Sequence, residues 1–201
     1  VLNVVAKQVR VTVTLEKGVS PVRIIGREGR IRGNEIELYM NQLYGSQQKY
    51  GLIEVSLPAS DPGSRIRVAK ARVSYENPVT RKSQSAQGVS FASFSRDKQK
   101  VSESANLDVV RDYQLNLNAL AQEKAIELSD EGKKQEAAAY LKKSADKLRQ
   151  VGGMYRDEEL LKEAEEARVQ AEEIQSRGMT KKSRKILRTQ SYQMKNQQAN
   201  Q

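Results

Sequence analysis

The chain has no cysteine, no histidine and no tryptophan, and only two phenylalanines among its 201 residues. Without cysteine there is no disulfide, no thiol nucleophile and no thiolate metal site. Without histidine the commonest metal ligand and the usual general base near neutral pH are missing. No apolar run approaches the roughly 18 residues that a membrane span needs. The N-terminus has no signal-like texture. Val1 stands where a strand is already under way, so the chain is expected to be an excerpt from something longer.

Charge is abundant, and its distribution says more than the net +10. Residues 1–100 hold 17 Lys/Arg against 8 Asp/Glu, residues 101–176 hold 11 against 17, and residues 177–201 hold 7 against none. A basic segment, an acidic one and a basic tail favour attraction between neighbouring parts as readily as attraction to an outside polyanion.

Up to about residue 95 the apolar period is two. Val9, Val11, Val13 and Leu15 alternate with Arg10, Thr12, Thr14 and Glu16, the pattern of a half-buried strand. Gly33-Asn34, between alternating segments, signals a hairpin because both residues tolerate positive φ. The alternation slips near Ala69-Lys70, where a bulge is expected. Val89 and Phe91 mark a last strand, mostly serine and glutamine. About seven short strands separated by turn signals predict an antiparallel sandwich.

Past Ser95 the period lengthens. Asn106 is a candidate N-cap, Val110, Tyr113, Leu117, Leu120, Ala121 and Leu128 recur at helical spacing, and Gly132 is a natural stop. A second helix carries Ala137, Leu141, Ala145 and Leu148 and is expected to end at Gly152-Gly153. A third follows Asp157 and ends near Gly178. The expected fold class is therefore segregated α+β: an N-terminal antiparallel, Ig-like β-sandwich followed by a helical hairpin or three-helix segment. Its expected domains are the sandwich at 1–95, a linker at 96–105, about three helices at 106–178, and a basic, Gln/Asn-rich, partly disordered tail at 179–201.

Candidate sites are few. Gly26-Arg27-Glu28-Gly29 matches a G-x-x-G backbone clamp of RNA-binding modules, but that clamp sits between helices, and an ordinary hairpin connection is expected here. Glu158, Glu159, Glu163, Glu165 and Glu166 read as a solvated helix face rather than a metal cluster. Gly132 between helical segments has the texture of half a tetratricopeptide-type repeat; with one copy visible, a helical hairpin is the expectation. Lys181, Lys182, Arg184, Lys185 and Arg188 form a basic run that suits phosphates or anionic headgroups, or a solubilising tail near the acidic helices. No nucleophile–base pairing assembles, so the chain is expected not to be an enzyme and to hold no catalytic, cofactor or metal site.

Some segments carry a resemblance. Val19-Ser20-Pro21-Val22-Arg23-Ile24-Ile25-Gly26, Gln42-Leu43-Tyr44-Gly45-Ser46-Gln47, Leu52-Ile53-Glu54-Val55-Ser56-Leu57-Pro58, and Arg65 to Tyr75 followed by Asn77-Pro78-Val79-Thr80 are the first. Ala125-Ile126-Glu127-Leu128 with Gly132 before Glu136-Ala137 adds a helical part. Together they resemble the region C-terminal to the von Willebrand factor type A domain in prokaryotic type A domain-containing proteins. The metal-dependent adhesion site of that domain uses Asp-x-Ser-x-Ser, which does not occur here. The resemblance thus implies an accessory or scaffolding region, and it implies a divalent metal only for an absent domain before Val1. The partners it implies are that domain and other proteins, with cell-envelope association of the parent. The alternative is a module for nucleic acid or an anionic lipid surface, motivated by the basic segments.

Overall fold

The computed structural model describes residues 3–196, in two compact units divided between Ala105 and Asn106. The first unit opens with β1 (Val4–Leu15), whose alternating valines place one face against the core. There follow β2 (Ser20–Ile25), β3 (Gly29–Arg32), β4 (Glu35–Tyr39), β5 (Gln42–Tyr44), β6 (Leu52–Ser56), β7 (Arg65–Glu76), β8 (Ser83–Ser93) and the short helix α1 (Lys98–Glu103). Six strands make one sheet, in the order β3-β4-β1-β7-β8 with β5 also on β1, and β2 and β6 form a sheet of their own. Every one of these pairings is antiparallel.

Register explains the core. Val11 stands between Leu38 and Val73, and Val13 between Ile36 and Ala71, so one face of the large sheet is apolar across three strands. Ile36, Leu38, Leu15, Val9, Met40 and Val19 are buried there, with Ile24, Ile53 and Val55 of the small sheet packed against them. β1 serves both β4 and β5 on one flank because it bends at Gln8, which takes φ 51°, where the β7 register shifts between Lys7 and Arg10.

Gly33-Asn34 closes the β3–β4 hairpin, with Arg32 opposite Glu35. Gly26 to Gly29 makes no hairpin: β2 and β3 belong to different sheets, and the segment carries the chain from one to the other. A Cβ on Gly29 would stand 2.6 Å from a Leu38 methyl and 2.7 Å from the Glu37 carbonyl oxygen, so that glycine serves close packing. The expected Ig-like sandwich of about seven strands is corrected accordingly. Eight strands divide six and two, because strand alternation marks which residues face inward but not which strands pair.

The second unit comprises α2 (Leu107–Asp130), α3 (Lys134–Tyr155), α4 (Glu158–Arg177) and α5 (Lys181–Asn196). The Asn106 side chain caps α2, accepting from the Asp108 and Val109 amides, and Asp157 caps α4 through the Leu160 amide. Helix α3 runs through Gly152-Gly153 instead of stopping there. The glycine admits a neighbour: a Cβ on Gly152 would lie 3.0–3.1 Å from the Leu161 side chain and amide nitrogen. Four helices therefore replace the expected hairpin or three-helix segment.

α2 lies against both α3 and α5, and Ala125, Ile126, Leu141, Ile174 and Leu187 share one buried cluster. A second cluster joins Leu115, Leu148, Leu160, Ala164 and Ala167. Residues 96–105, expected as a linker, hold α1, and most of the expected tail from 179 onward is α5. The remainder of that tail, residues 197–201, lies outside the described residues.

Candidate protein-interaction edge

The two ends of the large sheet are built differently. β3 ends it on one side with four residues, two of them arginines, the short and charged edge that discourages further pairing. β8 ends it on the other side with 11 residues, Ser-Gln-Ser-Ala-Gln-Gly-Val-Ser-Phe-Ala-Ser, carrying no charge and no proline. Among the described residues β8 pairs with β7 alone.

Both ends of β8 are anchored. The Asn77 side chain accepts from the Val79 and Thr80 amides at 2.9 and 3.1 Å, and Asn77 and Lys82 close the turn through a 3.0 Å backbone bond. At the far end the Phe94 carbonyl accepts from Gly63 and its amide donates to Ser64 at 3.0 Å. The backbone groups of Phe94 thus point to the β7 side. Because strand residues alternate, Ala92, Ser90, Gly88 and Ala86 point the same way, and Ser85, Gln87, Val89, Phe91 and Ser93 direct their N–H and C=O outward.

The same alternation sets the faces. Register places Phe91 opposite Arg67, Val89 opposite Lys70 and Gln87 opposite Arg72. These side chains stand on the face away from the core, and the Arg65 guanidinium lies 4.2 Å from the Phe91 ring centroid, a cation–π contact that confirms the shared face. Val89 is 46% exposed and Phe91 52%. On the core side β8 presents Gly88 opposite Ala71 and Ala86 opposite Val73.

Electrostatically the strip beside the edge is positive. Arg65, Arg67, Lys70 and Arg72 project from β7, and Arg67 is paired with Glu16 at 2.5 Å. That hydrogen bond, followed by the charge of Glu16, raises the Arg67 pKa. Glu76 lies at the hairpin end, opposite Lys7. No carboxylate of β8 balances Arg65, Lys70 or Arg72.

The basic run expected as an anion site falls on α5. Arg184 forms a two-pronged salt bridge with Asp130 of α2, holding that carboxyl below the usual carboxylate range, while Lys181, Lys182, Lys185 and Arg188 are exposed. The five glutamates are not one solvated face. Glu165 pairs with Arg168 and Glu159 with Arg111, whereas Glu163 turns inward to accept from the Asn118 side chain at 2.8 Å. Among the described residues no cluster of three or more acidic side chains is arranged to hold a metal, and no helix is long and apolar enough to cross a membrane.

Two features were missed in the sequence. One is the open edge itself, whose signal was the uncharged run from Ser83 to Phe94. The other is the buried polar side of α2, formed by Gln114, Asn116, Asn118 and Gln122.

No family model matches the sequence, and no curated protein does. Among solved structures the chain is similar to von Willebrand factor type A from Catenulispora acidiphila, with TM-score 0.53 and 13% identity, over 79% of this chain and 39% of that one. It is also similar to the ArnB paralog VWA2 from Sulfolobus acidocaldarius, with TM-score 0.45 and 14% identity, over 94% of this chain and 43% of that one. This chain spans well under half of either structure. The first likeness concerns fold, and it falls on the chain itself. It corrects the reading of the chain as a region C-terminal to a type A domain, together with the accessory function built on that reading, and it lends no support to the nucleic-acid or anionic-surface alternative drawn from the basic segments. The segregated, Ig-like fold class gives way to likeness with a type A structure.

Proposed function

We propose that this chain is a non-enzymatic protein-interaction module, without a cofactor of its own, that takes up an extended segment of a partner protein along β8. The open edge carries the reading: 11 residues long, free of charge and proline, and anchored at both ends. Such an edge presents a row of backbone donors and acceptors that a partner strand satisfies, and main-chain bonds of this kind are the basis of recognition by strand addition. The lack of histidine and cysteine supports the non-enzymatic part, since neither a common general base nor a thiol nucleophile is present.

The test is an array of extended ten-residue peptides probed with the full 201-residue chain, followed by hydrogen exchange on the complexes. The amides of Ser85, Gln87, Val89 and Phe91 should exchange fast in the free chain and become protected on binding. Val89→Pro removes one outward donor while sparing the β7 ladder, and should abolish binding with the circular dichroism spectrum unchanged. Binding that survives Val89→Pro, or that protects none of those amides, overturns the reading.

A further inference from the structure

We infer that the segment taken up along β8 is acidic at alternate positions, with small apolar residues between them. This rests on the strand-addition reading and adds the chemistry of the partner.

Strand register alone sets this chemistry. A strand beside β8 lies about 4.8 Å from it and about 9.6 Å from β7. Residues facing each other across a pair of strands share a face. Partner residues opposite Gln87, Val89 and Phe91 therefore stand on the face that carries Arg65, Lys70 and Arg72. The long stems of Lys and Arg, meeting the stem of a Glu or Asp, span the two-strand distance, and β8 itself offers no competing carboxylate. Partner residues opposite Ala86, Gly88 and Ser90 fall on the core side instead. They extend the apolar surface of Ala71 and Val73, where β8 contributes only small side chains.

Charge also selects against the other obvious occupant. A second copy of the chain paired β8 to β8 would bring two sets of Arg65, Lys70 and Arg72 to the same face within three strand spacings, and nothing on β8 separates them. An acidic strand meets attraction at each of those positions. The β3 edge differs: there Arg30 and Arg32 stand directly opposite Glu37 and Glu35 in register, whereas β8 sets no carboxylate opposite the cations of β7.

The experiment uses the full chain and three nine-residue peptides that alternate Val or Thr with Glu, with Ser or with Lys. Fluorescence anisotropy of labelled peptide reads affinity at low and high salt, and sedimentation reads the state of the chain alone. The Glu peptide should bind roughly three- to tenfold more tightly than the Ser peptide, since two or three solvent-exposed pairs with β7 each contribute modestly. The Lys peptide should not bind. The preference for Glu should shrink with salt, because exposed pairs are screened. Lys70→Glu with Arg72→Glu should reverse the order of the Glu and Lys peptides. Both substitutions are on an exposed face, and melting checks that the fold persists.

Equal binding of the Glu and Ser peptides overturns the acidic partner and leaves strand addition standing. Binding of none of the three, with peptides from the array also silent, overturns both. A chain that sediments as a dimer, and as a monomer after Val89→Pro, assigns the edge to a second copy and overturns the acidic partner.

Discussion

The fate of single side chains in the helical unit turns on a polar thread through its interior. Asn118 is 2% exposed, donates to Glu163 of α4 at 2.8 Å and accepts from the Ser144 hydroxyl of α3 at 2.8 Å. One amide therefore ties three helices together. Burial is the main cause that raises the Glu163 carboxyl pKa, the charge of Glu166 adds to it, and the Asn118 donor opposes both. An acid raised in the folded state stabilises the fold below its unfolded pKa and loses that contribution as pH rises through the folded one. At neutral pH the ionised group is thus a net cost. Glu163→Gln keeps the acceptor for Asn118 and removes the charge, and it should stabilise the helical unit at pH 7–8 by on the order of 1 kcal/mol. Thermal melts at several pH values check it: the gain should vanish as pH falls to the ordinary carboxylate range. A gain that does not vary with pH would count against the buried charge as its source.

At the scale of elements, α5 shows how a charge-rich sequence becomes part of a core. Its apolar content is small, but Leu187 is fully buried against Ala125, Ile126 and Leu141, and Ser183 and Ser191, one turn away on either side, are buried too. Arg184 with Asp130 and Lys195 with Glu123 bracket the contact with α2, pairs that contribute little each because solvent reaches them. Packing therefore dominates. Leu187→Ala should cost about 2–5 kcal/mol, and hydrogen exchange should show α5 losing protection before α3. Loss of protection spread evenly over all four helices would mean that α5 is no separable element.

The sequence made α2 and α4 legible through their caps, because Asn106 and Asp157 act within a few residues of themselves. It did not reveal that α3 passes through Gly152-Gly153. A glycine is a stop signal when read locally and a packing notch when another helix crosses it, and Leu161 of α4 decides which. β8 illustrates the same limit. Its residues were legible as a strand, but whether a strand lies at an edge depends on partners far away in the chain.

As a whole molecule the protein is two units with separate cores, one centred on Ile36 and Leu38, the other on Leu141, Leu148 and Ile174. The helical unit has its own buried clusters and capped helices, the requirements for folding alone. A chain of residues 106–196 should give a helical far-ultraviolet spectrum and a cooperative melt. A broad, non-cooperative melt would show that it depends on the sheet unit.

What the sequence determined by itself is local: the alternation of β1 and β7, the Gly33-Asn34 turn, the helix caps and the absence of histidine and cysteine all follow from residues near one another. The tertiary structure alone decided that β2 and β6 leave the main sheet, that Glu163 turns inward and that β8 stands uncovered beside a row of cations. The physical reason is that strand partners and helix crossings are chosen by the joint burial of surfaces distant in sequence, and no local pattern records that choice.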